Sequence, residues 1–114
     1  MKVAVVGSRT LRDVDLEQYI PQETTEIITG GAYGIDTLAE CYANRRGIPV
    51  RIFRPNYDLF GKLAPLARND QIVDAADMVV AVWDGVSTGT RYTIGRAQRL
   101  NKPVKIYVVE RDGN

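Results

Sequence analysis

The chain has no histidine, a single cysteine and a nearly balanced charge, and each shortage removes a class of function. The absence of histidine excludes histidine-based acid–base catalysis, Ser-His triads and most zinc sites. The one cysteine, Cys41, excludes an internal disulfide and a cysteine-clustered metal site. Its position inside a predicted helix indicates a packed thiol. We therefore expect neither a metal nor a cofactor.

Long apolar runs are also missing. No run approaches the length of a membrane span, and the N-terminal segment before Gly7 is too short for a signal peptide. The sequence therefore predicts a cytoplasmic protein.

Its net charge of +1 is too small for a general polycation that binds nucleic acid. Arginine outnumbers lysine eleven to four, which suits bidentate phosphate contacts but reflects genomic composition equally well.

The 114 residues alternate between apolar strands and helical segments, which is typical of one α/β domain with a parallel sheet covered on both faces. The predicted strands are 3–6, 26–29, 50–53, 78–82 and 104–109. The predicted helices are 13–20, started by a capping box at Thr10–Asp13, then 35–46, 63–75 and 90–100. Residues 54–61 are predicted to form a loop. With the common strand order 3-2-1-4-5, this is a doubly wound, Rossmann-like, five-stranded sheet. Residues 1–110 form the predicted domain and 111–114 a polar tail.

Three glycine-containing junctions follow the first, second and fourth strands. They are Gly7-Ser8-Arg9, Gly30-Gly31-Ala32-Tyr33-Gly34-Ile35-Asp36 and Asp84-Gly85-Val86-Ser87-Thr88-Gly89-Thr90. In a doubly wound sheet such junctions converge on the edge where ligands bind. Glycines allow close backbone approach, hydroxyls and N–H groups donate, and a helix N-terminus adds partial positive charge. The sequence therefore predicts an anion-binding pocket, against the alternative of tight turns with ordinary capping residues.

Two common nucleotide motifs are absent. Gly7-Ser8-Arg9 is not the G-x-G-x-x-G fingerprint of dinucleotide-binding domains, and no acidic residue closes the second strand. The chain also lacks the GxxxxGK[ST] phosphate loop. These absences argue against a nucleoside triphosphatase.

Four motifs in order resemble the SLOG superfamily, which unites the DNA-processing protein A domain with the lonely guy phosphoribohydrolases. They are Gly7–Arg9, Gly30–Asp36, Gly61–Pro65 with Arg68-Asn69, and Trp83–Thr90. The resemblance covers nearly the whole chain and points to the small stand-alone members. It implies a Rossmann-like fold, a nucleotide or ADP-ribose-like ligand, and a homo-oligomer, for which we expect a dimer or tetramer. We expect the domain to act as a sensor or regulatory module.

The resemblance and the glycine junctions together predict the ligand-binding residues. These are Gly7, Ser8, Arg9, Gly30, Gly31, Ala32, Gly34, Asp36, Arg68, Asn69, Trp83, Asp84, Gly85, Ser87, Gly89, Thr90 and Thr93. The first and third junctions are expected to contact phosphate. Asp36 is expected to bond a sugar hydroxyl, and Arg68 a second phosphate or the partner subunit. Trp83 or Tyr33 is expected to stack on a base, although a Trp that ends a buried strand also fits core packing.

The resemblance also bears on catalysis. The phosphoribohydrolases use an arginine on the helix before strand 4, which Arg68 resembles, and a glutamate after the glycine loop, where this chain has Thr93. The similar nucleoside 2-deoxyribosyltransferases carry a nucleophilic glutamate that is likewise missing here. Glycosidic cleavage passes through a cation-like sugar that a carboxylate stabilises or attacks, and a threonine hydroxyl supplies no charge. We therefore favour a binding domain over an enzyme.

Three alternatives stay open. An N-glycosidase acting on a nucleoside monophosphate would use Arg68 with Asp84 or Asp36, although Asp84 also fits a turn and Asp36 a first-turn helix residue. Binding of single-stranded nucleic acid would use five arginines, namely Arg9, Arg45, Arg46, Arg51 and Arg54. An empty module would tolerate larger residues at Gly31 or Gly89 without effect on ligands. Separately, Tyr57 and Phe60 either form a lid or pack against the third helix.

Overall fold

Short apolar segments rich in β-branched residues pair in parallel to form one five-stranded sheet. A computed structural model describes residues 1–110, so the predicted tail at 111–114 lies outside the described residues. The strands are β1 Lys2–Gly7, β2 Glu26–Thr29, β3 Val50–Ile52, β4 Met78–Trp83 and β5 Val104–Val108. Their spatial order is β3-β2-β1-β4-β5, which confirms the predicted doubly wound arrangement. The order reverses between β1 and β4, so a crevice is expected beyond the ends of these two strands.

The helices follow the strands as α1 Ile35–Arg46, α2 Tyr57–Phe60, α3 Ala64–Ala75 and α4 Thr88–Arg99. Gly47 ends α1 in a left-handed conformation with φ of 66°, as its position after two arginines predicts. No helix within residues 1–110 is long and apolar enough to cross a membrane.

Two predictions of local structure are wrong. The helix expected at 13–20 is a single 3₁₀ turn, Leu16–Gln18, because the cap is Asp15, whose Oδ1 accepts from the Glu17 N–H at 3.0 Å. Pro21 stops any continuation. The segment expected as a loop at 54–61 contains α2, which Asn56 caps by accepting from the Leu59 N–H at 3.1 Å.

Both faces of the sheet are covered, which explains why its central strands read as continuous apolar runs. One face packs on α1 and on the 3₁₀ turn, through side chains such as Ile35 and Leu16. The other face packs on α3 and α4, through Ile72 and Ile94. The two central strands therefore present buried side chains to both layers.

Cys41 is exposed, and the expectation of a packed thiol is wrong. Helix α1 turns Ile35, Ala39, Tyr42 and Ala43 toward the sheet. Cys41 precedes Tyr42 by one position, which is about 100° around the helix. The cysteine therefore points away from the core.

Candidate functional site

A cleft of about 380 Å³ opens at the carboxyl edge of the sheet, beside the reversal point between β1 and β4. We call it the edge cleft. Its lining residues are Val6, Gly7, Ser8, Arg9, Thr10, Ala32, Asp36, Pro65, Leu66, Arg68, Asn69, Ser87, Thr88, Gly89, Thr90 and Thr93. Residues from all three glycine junctions and from the start of α3 therefore meet in one place.

The N-terminus of α4 faces the edge cleft without a side-chain cap. Ser87 occupies the cap position, but it makes no capping hydrogen bond, and its hydroxyl donates instead to Oδ2 of Asp84 at 2.9 Å. The first backbone N–H groups of a helix have no partner inside the helix and carry partial positive charge. A Cβ built on Gly89 would meet no heavy atom within 4 Å. The backbone of this turn is therefore open to an approaching anion.

Asp84 organises the turn between β4 and α4. Its Oδ1 accepts from the N–H groups of Val86 at 2.9 Å and Ser87 at 2.8 Å, and its Oδ2 accepts from the hydroxyl of Thr10 at 3.2 Å. Burial alone would raise the pKa of Asp84, but the hydrogen bonds from Val86, Ser87 and Ser8 together lower it below the usual range of aspartate. The carboxylate thus stays ionised and holds the turn.

Ser8 ties the first junction to the other two. It is 1% exposed, and its Oγ accepts from the Asp84 N–H at 3.0 Å. Its carbonyl oxygen accepts from the Ile35 N–H, at the start of α1, at 3.4 Å. A Cβ at Gly34, where φ is 78°, would lie 2.5 Å from that carbonyl oxygen. Position 34 therefore needs a glycine for two reasons: its φ angle is positive, and a side chain would clash with the Ser8 carbonyl oxygen.

Arg68 reaches from α3 across the cleft to the end of β2. Its side chain is buried, and its Nη1 donates to the carbonyl oxygen of Gly30 at 2.7 Å while its Nε donates to Oδ1 of Asn69 at 2.8 Å. A Cβ on Gly30 would lie 2.6 Å from Nη1. Gly30 is therefore a glycine because the guanidinium occupies the space of a side chain.

Asp36 lies beside Arg68 and is only 8% exposed. Burial raises the pKa of Asp36, and this rise is partly opposed by the Ala32 N–H, which donates to Oδ2 at 3.1 Å, and by the charge of Arg68. Burial lowers the pKa of Arg68, and Asp36 partly restores it. Arginine remains protonated in proteins, so the positive charge of Arg68 lies beside the carboxyl group of Asp36. Arg9 adds a second guanidinium to the lining, so the lining carries more positive than negative charge.

The structure brings most of the predicted site residues together. Eleven of them line the edge cleft, namely Gly7, Ser8, Arg9, Ala32, Asp36, Arg68, Asn69, Ser87, Gly89, Thr90 and Thr93. Six lie outside the lining, namely Gly30, Gly31, Gly34, Trp83, Asp84 and Gly85. Five lining residues were not predicted, namely Val6, Thr10, Pro65, Leu66 and Thr88. Each of the five is adjacent in sequence to a residue of the motifs or part of one, so the motif boundaries were the available signal.

Trp83 packs rather than lining the cleft. Its indole N–H donates to the carbonyl oxygen of Ser87 at 3.0 Å, and the guanidinium of Arg91 lies 5.5 Å from its ring centroid. The ring also packs against the core under α3 and α4. Tyr57 and Phe60 are exposed on α2, and neither lines the edge cleft.

Thr93 is buried in the wall of the cleft, and its Oγ1 donates to the carbonyl oxygen of Gly89 at 3.0 Å. This is the bond that a threonine commonly makes to the preceding helical turn. The hydroxyl is thus used within α4 and supplies no negative charge to the cleft.

The five arginines of the nucleic-acid alternative do not share one edge. Arg45 and Arg46 end α1, at the opposite edge from the cleft, and Arg46 forms a salt bridge with Glu17. Arg51 lies over the ring of Phe53, with its guanidinium carbon 4.6 Å from the centroid. Only Arg9 of the five lines the edge cleft.

Comparison with known families gives one match. Residues 1–60 match the sequence model of the YAcAr family, described as the YspA, cpYpsA-related SLOG family. The matched region contains β1, β2, α1 and β3, with the first two glycine junctions. Neither a curated protein nor a solved structure gives a match.

Proposed function

The chain belongs to the YAcAr family of SLOG domains, and we propose that its edge cleft binds a nucleotide or an ADP-ribose-like phosphorylated ligand. In this proposal residues 1–110 act as a sensor or regulatory module. One observation carries the proposal: the uncapped N-terminus of α4 opens into a cleft that also contains the buried guanidinium of Arg68.

The chemistry of the lining supports phosphate as the bound group. Unpaired N–H groups at a helix start form a common phosphate site, and Gly89 leaves them uncovered. Arg9 and Arg68 add two guanidinium groups, whose planar donors match phosphate oxygens. Because Asp36 offsets only one of these charges, the ligand is expected to be anionic.

The size and remaining polarity of the edge cleft support a nucleotide-sized ligand. Small-molecule sites range from about 300 to 1,000 Å³, and the edge cleft has about 380 Å³. Asp36, in the first turn of α1, offers a carboxyl group to a sugar hydroxyl. The edge cleft therefore offers guanidinium and N–H groups to the phosphate and a carboxyl group to the sugar of a sugar phosphate.

An N-glycosidase is a second candidate, and one observation favours it. Of the described residues that line the edge cleft, Asp36 alone has a carboxyl group, and it lies beside Arg68. A carboxylate at a cation-like sugar is what glycosidic cleavage requires. Asp84 is engaged in the turn, and Thr93 in helix α4, so Asp36 would have to act in this role.

A thermal-shift panel tests the proposal. Purified protein is heated with AMP, ADP, ADP-ribose, NAD, cyclic nucleotides and a short single-stranded oligonucleotide, and each sample is then analysed by chromatography for released base. A ligand at a hundred times its Kd stabilises the folded state by about 2.7 kcal/mol, which is a shift of several degrees for a domain of this size.

The outcomes separate the candidates. A shift with a nucleotide and no released base supports the binding module. Release of base that Asp36→Asn abolishes would establish the glycosidase instead. A shift with the oligonucleotide alone, lost at raised salt, would favour nucleic-acid binding. No shift with any compound would contradict the proposal and favour an empty module.

A further inference from the structure

A second depression, of about 350 Å³, lies beside the edge cleft at the start of α1. Its lining residues are Arg12, Tyr33, Gly34, Thr37 and Leu38, and we call it the Tyr33 subsite. The two spaces share a wall, because Gly34 packs against the backbone of Arg9, which lines the edge cleft. A Cβ on Gly34 would lie 2.6 Å from the Arg9 carbonyl oxygen.

Tyr33 is unusually exposed for an aromatic residue beside a cleft. Among residues 1–110 it has the highest exposure of the large hydrophobic side chains, at 79%. Such a ring gains little from the fold itself, because burial of apolar area is what stabilises an aromatic side chain. The fold therefore does not explain why this position carries a large ring.

The residue that precedes Tyr33 is held by two hydrogen bonds to the first turn of α1. The Ala32 N–H donates to Oδ2 of Asp36 at 3.1 Å, and the Ala32 carbonyl oxygen accepts from the hydroxyl of Thr37 at 3.0 Å. Gly31 and Gly34 flank the pair with φ of 71° and 78°. Because the backbone before the ring is fixed, a ligand that binds to Tyr33 does not have to order the loop that carries it.

The chemistry of the subsite fits a flat heterocycle. The phenol ring of Tyr33 offers a face for stacking, and stacking on aromatic side chains is tolerant of which base is bound. Arg12 lies at the same depression with an exposed guanidinium, which donates to the edge of a ring or stacks on it. Trp83 is unsuited to this role, because its N–H bonds Ser87 and its ring contacts Arg91.

We infer that the Tyr33 subsite holds the base of a nucleotide whose phosphate lies in the edge cleft. The inference rests on the proposed function and extends it, since it assigns the two ends of the ligand to two neighbouring spaces. Tyr33 then determines the preference for a base-bearing ligand over a plain sugar phosphate.

The test compares AMP and ADP with ribose 5-phosphate, which has the sugar phosphate but no base. Affinities are measured by calorimetry for the wild-type protein, Tyr33→Ala and Tyr33→Phe. We expect the wild type to bind the nucleotides at least about tenfold more tightly than ribose 5-phosphate. Tyr33→Ala should remove most of this preference and leave ribose 5-phosphate binding unchanged, whereas Tyr33→Phe should keep it.

Phe60→Ala is the matched control, because Phe60 is another exposed aromatic residue that lies outside both spaces. It should leave all affinities unchanged. If nucleotides bind but Tyr33→Ala retains the full preference, the subsite is wrong and the proposed function stands. If Tyr33→Ala changes the oligomeric state and not the preference, Tyr33 is a protein contact and the inference is overturned. If no nucleotide or sugar phosphate binds the wild type, the proposed function fails, and the inference fails with it.

Discussion

Arg68 and Gly30 are 38 residues apart in the sequence, yet Nη1 of Arg68 donates a buried hydrogen bond of 2.7 Å to the Gly30 carbonyl oxygen. The bond joins α3 to the end of β2. A Cβ on Gly30 would lie 2.6 Å from Nη1 and 3.0 Å from Oδ2 of Asp36. The missing side chain of one residue thus makes room for the charged side chain of another, and this pair sets the position of the only buried cation described in the edge cleft.

Gly30→Ala should separate this pair. The new methyl group forces the guanidinium of Arg68 away from the Gly30 carbonyl, and we expect the free energy of unfolding to fall by about 1–3 kcal/mol. Urea denaturation measures the change. Gly95→Ala is the control, because its Cβ would lie 3.3 Å from the flexible end of Arg99, and a helical Gly→Ala change gains about 0.5–1 kcal/mol. Wild-type stability in Gly30→Ala would show that the pair is not rigid.

Asp84→Asn should remove a pH-dependent part of the stability. The folded state lowers the pKa of Asp84, so its contribution is complete above the unfolded value of about 3.9 and is lost as the pH falls below it. Because the carboxylate is partly exposed, we expect a loss of only about 1 kcal/mol at neutral pH. Urea curves at several pH values test this. The difference between wild type and variant should stay constant above about pH 5 and shrink as the pH falls from about 5 toward 2, and a difference that stays constant over that lower range would contradict the assignment.

Lys102→Met should destabilise the end of α3. The Nζ of Lys102 donates to the carbonyl oxygens of Val73 at 2.8 Å, Asp74 at 2.8 Å and Ala76 at 2.7 Å. These carbonyls belong to the last turn and the C-cap of α3, where a helix leaves carbonyl groups without an intrahelical partner, and that of Val73 also accepts from the Ala76 N–H at 3.2 Å. We expect the free energy of unfolding to fall by about 2 kcal/mol, because methionine keeps the apolar stem but not the donors.

Lys105→Met is the matched control for that change, since Lys105 is exposed on β5. It should leave the free energy of unfolding within about 0.5 kcal/mol of wild type. Equal losses in the two variants would show that a general effect of charge, and not the cap at α3, is responsible.

The sheet was predictable because its signals are local and repeated. The apolar run of β1 ends at Gly7, that of β2 is followed directly by Gly30, and α1 ends at Gly47 as predicted. The helix at 13–20 was predicted wrongly because Thr10–Asp13 has the spacing of a capping box. In the structure, Asp15 caps a single 3₁₀ turn instead. Cys41 misled because one helical position decides between core and solvent. The first error concerns which of several nearby polar residues caps the turn, the second concerns a single position on a helix, and a pattern of residue types resolves neither.

The location of the candidate site was predictable from the sequence, but the roles of its individual residues were not. The sequence treats Gly7, Gly34 and Gly89 alike, whereas the structure separates them by their neighbours. A Cβ on Gly7 would lie 2.2 Å from the Val82 carbonyl oxygen, so packing requires that glycine, while Gly89 faces open space. Similarly, Trp83 lies outside the lining, and its indole N–H donates to the Ser87 carbonyl oxygen. No local sequence pattern indicates this hydrogen bond. The ligand and the homo-oligomer stay predictions.

Calorimetric titration of the Gly89→Asp variant tests the central claim, phosphate binding at α4, most directly. An aspartate in the first turn of a helix interacts favourably with the helix dipole, by about 0.3–1 kcal/mol, and it replaces a glycine that weakens the helix. The variant should therefore be at least as stable as wild type. Its new carboxylate lies where phosphate is expected, so ADP or ADP-ribose that binds the wild type should bind the variant at least about a hundredfold more weakly.

Gly95→Asp adds the same charge to the same helix outside the cleft and should bind like wild type. If Gly89→Asp is folded and binds the nucleotide as tightly as wild type, the phosphate does not lie at α4, and the account is contradicted.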